Sequence, residues 1–82
     1  MHYALIQEWT EDNKSDVYIL EVASSIELVM ETLMDEVDYF KWENENAIVI
    51  KDTADRFEAC CKSYRGIVGF KLWIQQVAYR GE

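Results

Sequence analysis

Carboxylate side chains recur at helical spacing between positions 27 and 38, where they could recognise a positively charged partner. Glu27, Glu31 and Asp35 are four residues apart, and Asp38 follows three residues later. On a helix this spacing lines them along one side, and four residues rise about 6 Å, close to the roughly 7 Å between successive phosphates of a nucleic-acid strand. The pattern predicts an acidic helix surface that presents charge at nucleic-acid-like spacing to a protein with a basic groove.

A solvated helix surface would account for the same carboxylates. Acidic outer faces keep helices soluble, and Glu27 also complements the positive end of the helix dipole. Like charges four residues apart destabilise a helix by a few tenths of a kcal/mol each, and no Lys or Arg between positions 24 and 38 offsets them. Both interpretations are compatible with the sequence.

The charge of the whole chain is strongly negative and unevenly distributed. The 82 residues include 16 acidic and 8 basic side chains, for a net charge of -8. Positions 1 to 45 hold twelve of the acids and two of the bases. Such a balance disfavours direct binding to nucleic acid or to an anionic membrane. Further acids in predicted turns and nearby aromatic anchors extend the predicted partner-binding surface: Glu11, Asp12, Glu43, Glu45, Trp9, Tyr39 and Trp42.

The sequence contains few residues or motifs that would support catalysis or metal binding. His2 is the single histidine and lies at the N-terminus, and no phosphate loop, C-x-x-C, H-E-x-x-H or calcium-loop motif is present. Cys60 and Cys61 are adjacent, too close for a disulfide, so we expect reduced thiols that pack in the core of a cytoplasmic protein. The sequence predicts no enzyme, no cofactor and no metal site.

The local patterns predict two helices and five strands. A polar turn at 10–16 separates two strand-forming segments, and Ser24 or Ser25 can cap a helix whose apolar residues recur through Asp38. A second hairpin is predicted around the turn at 44–46, with Phe40 and Trp42 facing the core from its first strand. The predicted strands are 3–9, 17–22, 39–43, 47–51 and 67–79, and the predicted helices are 24–38 and 52–64.

Taken in order, these elements predict a single α+β domain over residues 1–82. The ββαββαβ order places two helices on one face of a small antiparallel sheet, which is a ferredoxin-like core with an added N-terminal strand. No apolar run is longer than four residues, so neither a membrane span nor a signal-peptide core is expected.

The last predicted strand suggests a second kind of interaction. Trp73 and Lys71 alternate with the apolar Phe70 and Leu72, so they should point to the open side of the sheet. An outward tryptophan needs a cover, which the N-terminal hairpin, a ligand or a second subunit could supply. The alternative function is therefore a structural or regulatory homo-oligomer that pairs through this sheet face or through an edge strand, with Trp73 at the contact.

As a class, small acidic proteins rich in aromatic residues and lacking catalytic motifs resemble the accessory proteins that phages direct against host enzymes, including anti-CRISPR proteins and other nucleic-acid mimics. The resemblance is to a class and assigns no residue. It implies a non-enzymatic inhibitor or adaptor that occludes the basic groove of a nucleic-acid-handling protein.

Overall fold

The computed structural model describes residues 1–64 and 66–78. Within them the chain forms one antiparallel sheet of five strands and one helix. The elements are β1 (His2–Glu11), β2 (Lys14–Ala23), α1 (Ile26–Glu43), β3 (Ile48–Asp52), β4 (Arg56–Ser63) and β5 (Gly66–Val77).

The strand order across the sheet is β2-β1-β5-β4-β3. The helix α1 connects the two edge strands, so it crosses one face of the sheet from β2 to β3. A single helix about 10 Å wide covers that face, and no described residue forms a layer on the opposite face. The sheet therefore has a helix face and an open face.

The first two strands form a tight hairpin. Its turn consists of Asp12 and Asn13, whose φ angles of 52° and 63° match the left-handed geometry of a two-residue hairpin turn. The pairing runs from Glu11 with Lys14 to Tyr3 with Ala23 and shifts by one residue at Leu5. Both strands are thus longer than the sequence predicts, because the expected polar turn at 10–16 mostly pairs as strand.

The predicted ββαββαβ order with two helices is wrong. The segment expected to form the second helix contains β4, which lies between β3 and β5 and pairs with both. Phe57 and Cys61 are spaced for a helix, but Phe57 and Ala59 also alternate as a strand requires, and both are buried. Backbone pairing with β3 on one edge and β5 on the other favours the strand over the helix. The arrangement is consequently not ferredoxin-like.

The helix α1 continues five residues beyond the predicted end at Asp38 and replaces the predicted strand 39–43. Phe40 follows Leu33 and Val37 at helical spacing and packs with them in the core. Asn44 caps the C-terminus of the helix: its φ of -126° and ψ of 68° leave the helical region, and its backbone N–H and side-chain amide both donate to the carbonyl of Phe40, at 2.9 and 3.0 Å. The second predicted hairpin is therefore absent.

The core lies between α1 and the helix face of the sheet. Phe40 stacks on Phe70 with ring centroids 4.3 Å apart and meets Phe57 edge-on at 5.7 Å. Residues from β1, α1, β4 and β5 complete it: Leu5, Val29, Leu33, Val37, Ala59 and Leu72. The predicted last strand ends at Val77, and Tyr79 lies outside the described residues.

Candidate functional site

One side of α1 carries four carboxylates and a tryptophan. Successive helical residues are about 100° apart, so positions 27, 31, 35, 38 and 42 fall within an arc of about 80°. All five side chains are exposed, whereas Leu33 on the opposite side is buried. The structure thus brings together one surface, which we term the acidic stripe: Glu27, Glu31, Asp35, Asp38 and Trp42.

The helix contains one basic residue, Lys41, and that residue is engaged outside the stripe. Its Nζ lies 2.8 Å from the carboxylate of Asp52 and 5.7 Å from the ring centroid of Phe57. The predicted helix, 24–38, contains no basic residue, but the additional residues 39–43 include Lys41. Because Lys41 pairs across to β3, the stripe keeps its negative charge.

Two exposed aromatic rings lie at the C-terminal end of the stripe. Trp42 is 74% exposed, and the ring of Tyr39 lies 6.0 Å from it. The expectation that Trp42 faces the core beside Phe40 is wrong, since two residues on a helix point about 200° apart. The negative charge of Glu43, together with a hydrogen bond from the phenol to it, raises the pKa of Tyr39 above its ordinary value. The C-terminal end of the stripe therefore presents the exposed aromatic rings of Tyr39 and Trp42 beside its carboxylates.

The N-terminal end of the stripe begins after Ser25, one of the two serines predicted to cap the helix. Its hydroxyl does not cap the backbone; it donates a hydrogen bond of 2.9 Å to the carboxylate of Glu27. A hydrogen bond from the backbone N–H of Glu27 and this hydroxyl lower the pKa of the Glu27 carboxyl below its ordinary value. Glu27 is therefore held as an anion at the start of the stripe.

The turn acids do not all join the stripe. Glu43 is the last residue of α1, beside Tyr39, and Glu45 is exposed in the turn that follows. Glu11 and Asp12 lie at the far end of the β1–β2 hairpin, in a shallow groove lined by residues of that hairpin alone. The hairpin acids thus form a second negative region apart from the stripe.

Trp9 is not the surface anchor that its position near acidic residues suggests. Its ring meets Phe70 edge-on at 4.8 Å and lies 6.3 Å from Phe40. Trp9 is half-buried, and it packs against the core from the helix face of β1. Of the three predicted aromatic anchors, only Tyr39 and Trp42 present exposed rings.

The open face of the sheet holds Trp73 and Lys71, the residues predicted to mediate self-association. Trp73 lies between Ile6 of β1 and Arg56 of β4, and the guanidinium of Arg56 is 5.4 Å from its ring centroid. One step along the strands, alternating charges cross four strands in the order Glu8, Lys71, Glu58 and Lys51. The N-terminal hairpin is part of the same sheet and provides no cover.

The edge strand β2 is a candidate surface whose place at the sheet edge the sequence did not identify. Its exposed apolar residues point to both faces of the sheet, and no described strand pairs with its outer edge. Beside it, a groove of about 320 Å³ runs between β2 and α1, lined by acids and small apolar groups. The alternation of β2 was visible in the sequence, but its edge position depends on strand order.

The residues considered for catalysis stay apart. Cys60 and Cys61 are free, half-buried and on opposite faces of β4, while His2 begins β1. Among residues 1–64 and 66–78, no group of three or more His, Cys, Asp or Glu side chains is arranged to hold a metal ion. The predicted placement of both cysteines within a helix is wrong, because they belong to a strand.

Comparison with known proteins identifies no similar protein. No protein family matches the sequence, and no curated protein or solved structure matches it. In the described part of the chain, α1 is too polar to cross a membrane. Inference about function therefore depends on the surfaces described above.

Proposed function

We propose that the protein is a non-enzymatic binding module whose acidic stripe docks on a basic surface of a larger protein. The observation that carries the proposal is the placement of Glu31, Asp35 and Asp38 in one exposed row that ends at Trp42. Charged rows accelerate encounter with a surface of opposite sign, while a desolvated tryptophan supplies affinity at the centre of many interfaces.

The electrostatics of the helix support this role. Lys41 is held by Asp52 at 2.8 Å, so no basic side chain of α1 neutralises the row. An exposed Trp42 contributes nothing to the core, and its large apolar area in water is unfavourable unless a partner covers it. A face built only for solubility would not need both features together.

The spacing of the carboxylates supports a partner that handles nucleic acid. Glu31 and Asp35 are about 6 Å apart along the helix axis, close to the phosphate spacing that a basic groove accommodates. On this proposal the protein inhibits or adapts its partner by occluding that groove. We place the interaction in the cytoplasm, where Cys60 and Cys61 would remain thiols.

Charge reversal with a matched control tests the proposal. In the stripe variant, Glu31, Asp35 and Asp38 become Lys; in the control, the exposed Glu11, Asp16 and Asp55, which lie away from the stripe, become Lys, giving the same net charge. Partners captured from cytosol by the wild-type protein at about 0.1 M salt should be lost at about 1 M, where the Debye length falls from about 10 to about 3 Å.

The stripe variant should bind the captured partner at least about tenfold more weakly than the control variant, with both folds intact by circular dichroism. Trp42→Ala should also weaken binding, and a nucleic acid that the partner binds should compete. Equal losses in the stripe and control variants would mean that net charge, not the stripe, drives binding, and the proposal would fail.

Self-association through the open face is the second candidate. The ladder of Glu8, Lys71, Glu58 and Lys51 alternates in sign, so a two-fold rotation about an axis along the strands sets each charge against its opposite. The same rotation brings Trp73 of one copy towards Arg56 of the other. A dimer of this kind would cover the face that lacks a second layer.

Light scattering after size exclusion tests the second candidate. The protein should be dimeric at concentrations on the order of tens of micromolar. Trp73→Ala should shift it towards the monomer, whereas Trp42→Ala, a matched change on the helix side, should leave the mass unchanged. A monomer across this concentration range would eliminate self-association through the open face.

A further inference from the structure

We propose that β2 accepts an extended segment of a partner protein as a sixth strand, and that this segment alternates apolar β-branched residues with lysine or arginine. Unpaired backbone groups at the β2 edge and the exposed apolar side chains carry the inference. The nearby carboxylates of β2 and α1 determine only that the residues alternating with the apolar ones in the partner segment are basic.

The outer edge of β2 is long and open. It is a terminal strand of ten residues, and in the described part of the chain nothing pairs with its outer side. Val17, Tyr18 and Ile19 are all exposed. Proteins usually protect such an edge with proline, a short strand or a covering element. Here the strand has an irregularity near Leu20 and the charged side chains of Lys14, Asp16 and Glu21, but it contains no proline, and no described element covers its outer edge.

The hairpin register identifies which backbone groups are free. Glu11 and Lys14 flank the two-residue turn, so they form the hydrogen-bonded pair that closes it. Hydrogen-bonded and non-hydrogen-bonded pairs alternate along antiparallel strands. The backbone N–H and C=O groups of Ser15 and Val17 therefore point away from β1, where an added strand can bind them.

On the open face, β2 offers aliphatic side chains. Val17, Ile19 and Val22 are each at least half exposed and share this face with Ile6 of β1. Neighbouring strands lie about 4.8 Å apart, so residues of an added strand that point to the open face would pack against these side chains. Cross-strand pairs of β-branched residues are favourable, so valine, isoleucine or threonine suits these positions.

On the helix face, the neighbouring groove is acidic. On this face the groove is lined by Glu21, Leu28, Glu31 and Asp35 together with Ala23 and Thr32, and no described basic residue lines it. The Thr32 hydroxyl donates to the carboxylate of Glu21 at 3.1 Å and fixes it beside the helix. Residues of an added strand that point to this face would meet negative charge, which favours lysine or arginine.

A second copy of β2 is a poorer occupant of the same edge. Two-fold pairing of identical edge strands keeps the helices on one face, so the groove carboxylates of both copies would converge. The two acidic grooves would then lie on the same face of the joined sheet, and Lys14, at the far end of the strand, is the one basic residue that β2 could set against them. Like charges brought together across an interface oppose association. A basic segment from another protein removes this conflict.

The inference does not depend on the proposed docking of the acidic stripe. A partner held by Trp42 leaves the β2 edge unpaired, and strand addition does not require Trp42. Two residues, Glu31 and Asp35, border both surfaces. Trp42→Ala separates the two ideas, because it should weaken the stripe interaction and leave strand addition unchanged.

Synthetic peptides of ten residues, the length of β2, provide the probe. One alternates Val and Lys, a second alternates Val and Glu, and a third is the Val/Lys peptide with alternate backbone nitrogens methylated. The Val/Lys peptide should bind at least about tenfold more tightly than either of the others. On binding, hydrogen exchange of the Ser15 and Val17 amides should slow by about tenfold or more.

Variants of the protein test the same contact from the other side. Val17→Pro removes an outward N–H without breaking the β1 pairing and should abolish binding, whereas Val17→Thr keeps the N–H and should retain it. Equal binding of methylated and unmodified Val/Lys peptides would overturn strand addition, whatever the fold of the proline variant. Slowed exchange of these amides without peptide, increasing with protein concentration, would assign the edge to a second copy and overturn the proposal.

Discussion

The hydroxyl of Thr32 donates a hydrogen bond to the carboxylate of Glu21, with 3.1 Å to each carboxylate oxygen, and lies equally close to the Leu28 carbonyl one turn back in the helix. This contact joins the middle of α1 to the edge strand β2. It also holds a negative charge in the groove between them. The helix and the edge strand are therefore connected by a polar contact as well as through the apolar core.

Removing the Thr32 hydroxyl should destabilise the protein. Thr32→Val keeps the shape of the side chain but leaves the half-buried Glu21 without its donor, which should cost about 1 kcal/mol. Urea unfolding followed by circular dichroism measures the change. Glu21→Gln keeps an acceptor for the hydroxyl and should cost less. An unchanged unfolding midpoint in Thr32→Val would show that the contact does not stabilise the fold.

Two aromatic residues near the end of α1 should respond oppositely to truncation. Phe40 is 3% exposed and stacks on Phe70, so Phe40→Ala should cost about 3 to 5 kcal/mol. Trp42 is exposed, so Trp42→Ala should change the free energy of unfolding by less than about 0.5 kcal/mol. Similar large losses in both variants would indicate that both rings face the core, as a strand at 39–43 requires.

The sequence predicts α1 well where apolar residues follow a single period. Val29, Leu33 and Val37 recur at helical spacing, and the structure buries all three. Its end is harder to predict, because Tyr39, Phe40 and Trp42 favour strands locally. Packing of Phe40 on Phe70, a residue distant in sequence, extends the helix instead.

The identity of β4 could not be decided from local pattern alone. Phe57 and Cys61 satisfy helical spacing, and Phe57 and Ala59 satisfy strand spacing. Hydrogen bonding to β3 and β5 on both sides selects the strand, and such pairing is set by contacts between distant segments. Predicting a second helix there also led to the wrong fold.

Of the candidate surfaces, one part could be predicted from local spacing, and the rest depends on contacts between distant segments. The four-residue spacing of Glu27, Glu31 and Asp35 was enough to predict that they share one side of a helix. The exposure of Trp42 follows only from the full length of α1. The open edge of β2 follows from the strand order, which no local signal specifies.

The ion pair between Lys41 and Asp52 should contribute little to stability. Its Nζ to oxygen distance is 2.8 Å, but both side chains are 46% exposed, and such pairs are worth less than about 1 kcal/mol. Asp52→Asn should therefore lower the free energy of unfolding by less than about 1 kcal/mol at low salt, and by almost nothing at about 1 M salt, where the charges are screened. Thermal unfolding at the two salt concentrations measures the difference. A loss above about 2 kcal/mol that salt does not reduce would mean that Asp52 stabilises the fold by another route.

Titration of Glu27 should make the start of α1 sensitive to acid. Its pKa lies below the ordinary value of 4.5 because its own backbone N–H and the Ser25 hydroxyl hydrogen-bond to the carboxylate. A carboxyl whose pKa is lower in the folded chain stabilises that state at pH values above its unfolded pKa, and the effect disappears as the pH falls through the folded pKa. Glu27→Gln should therefore lower the urea midpoint at about pH 7 and have no effect at about pH 2. Ser25→Ala should raise the Glu27 pKa measured by NMR part of the way back, and a midpoint at 4.5 or above in the wild-type protein would contradict this account.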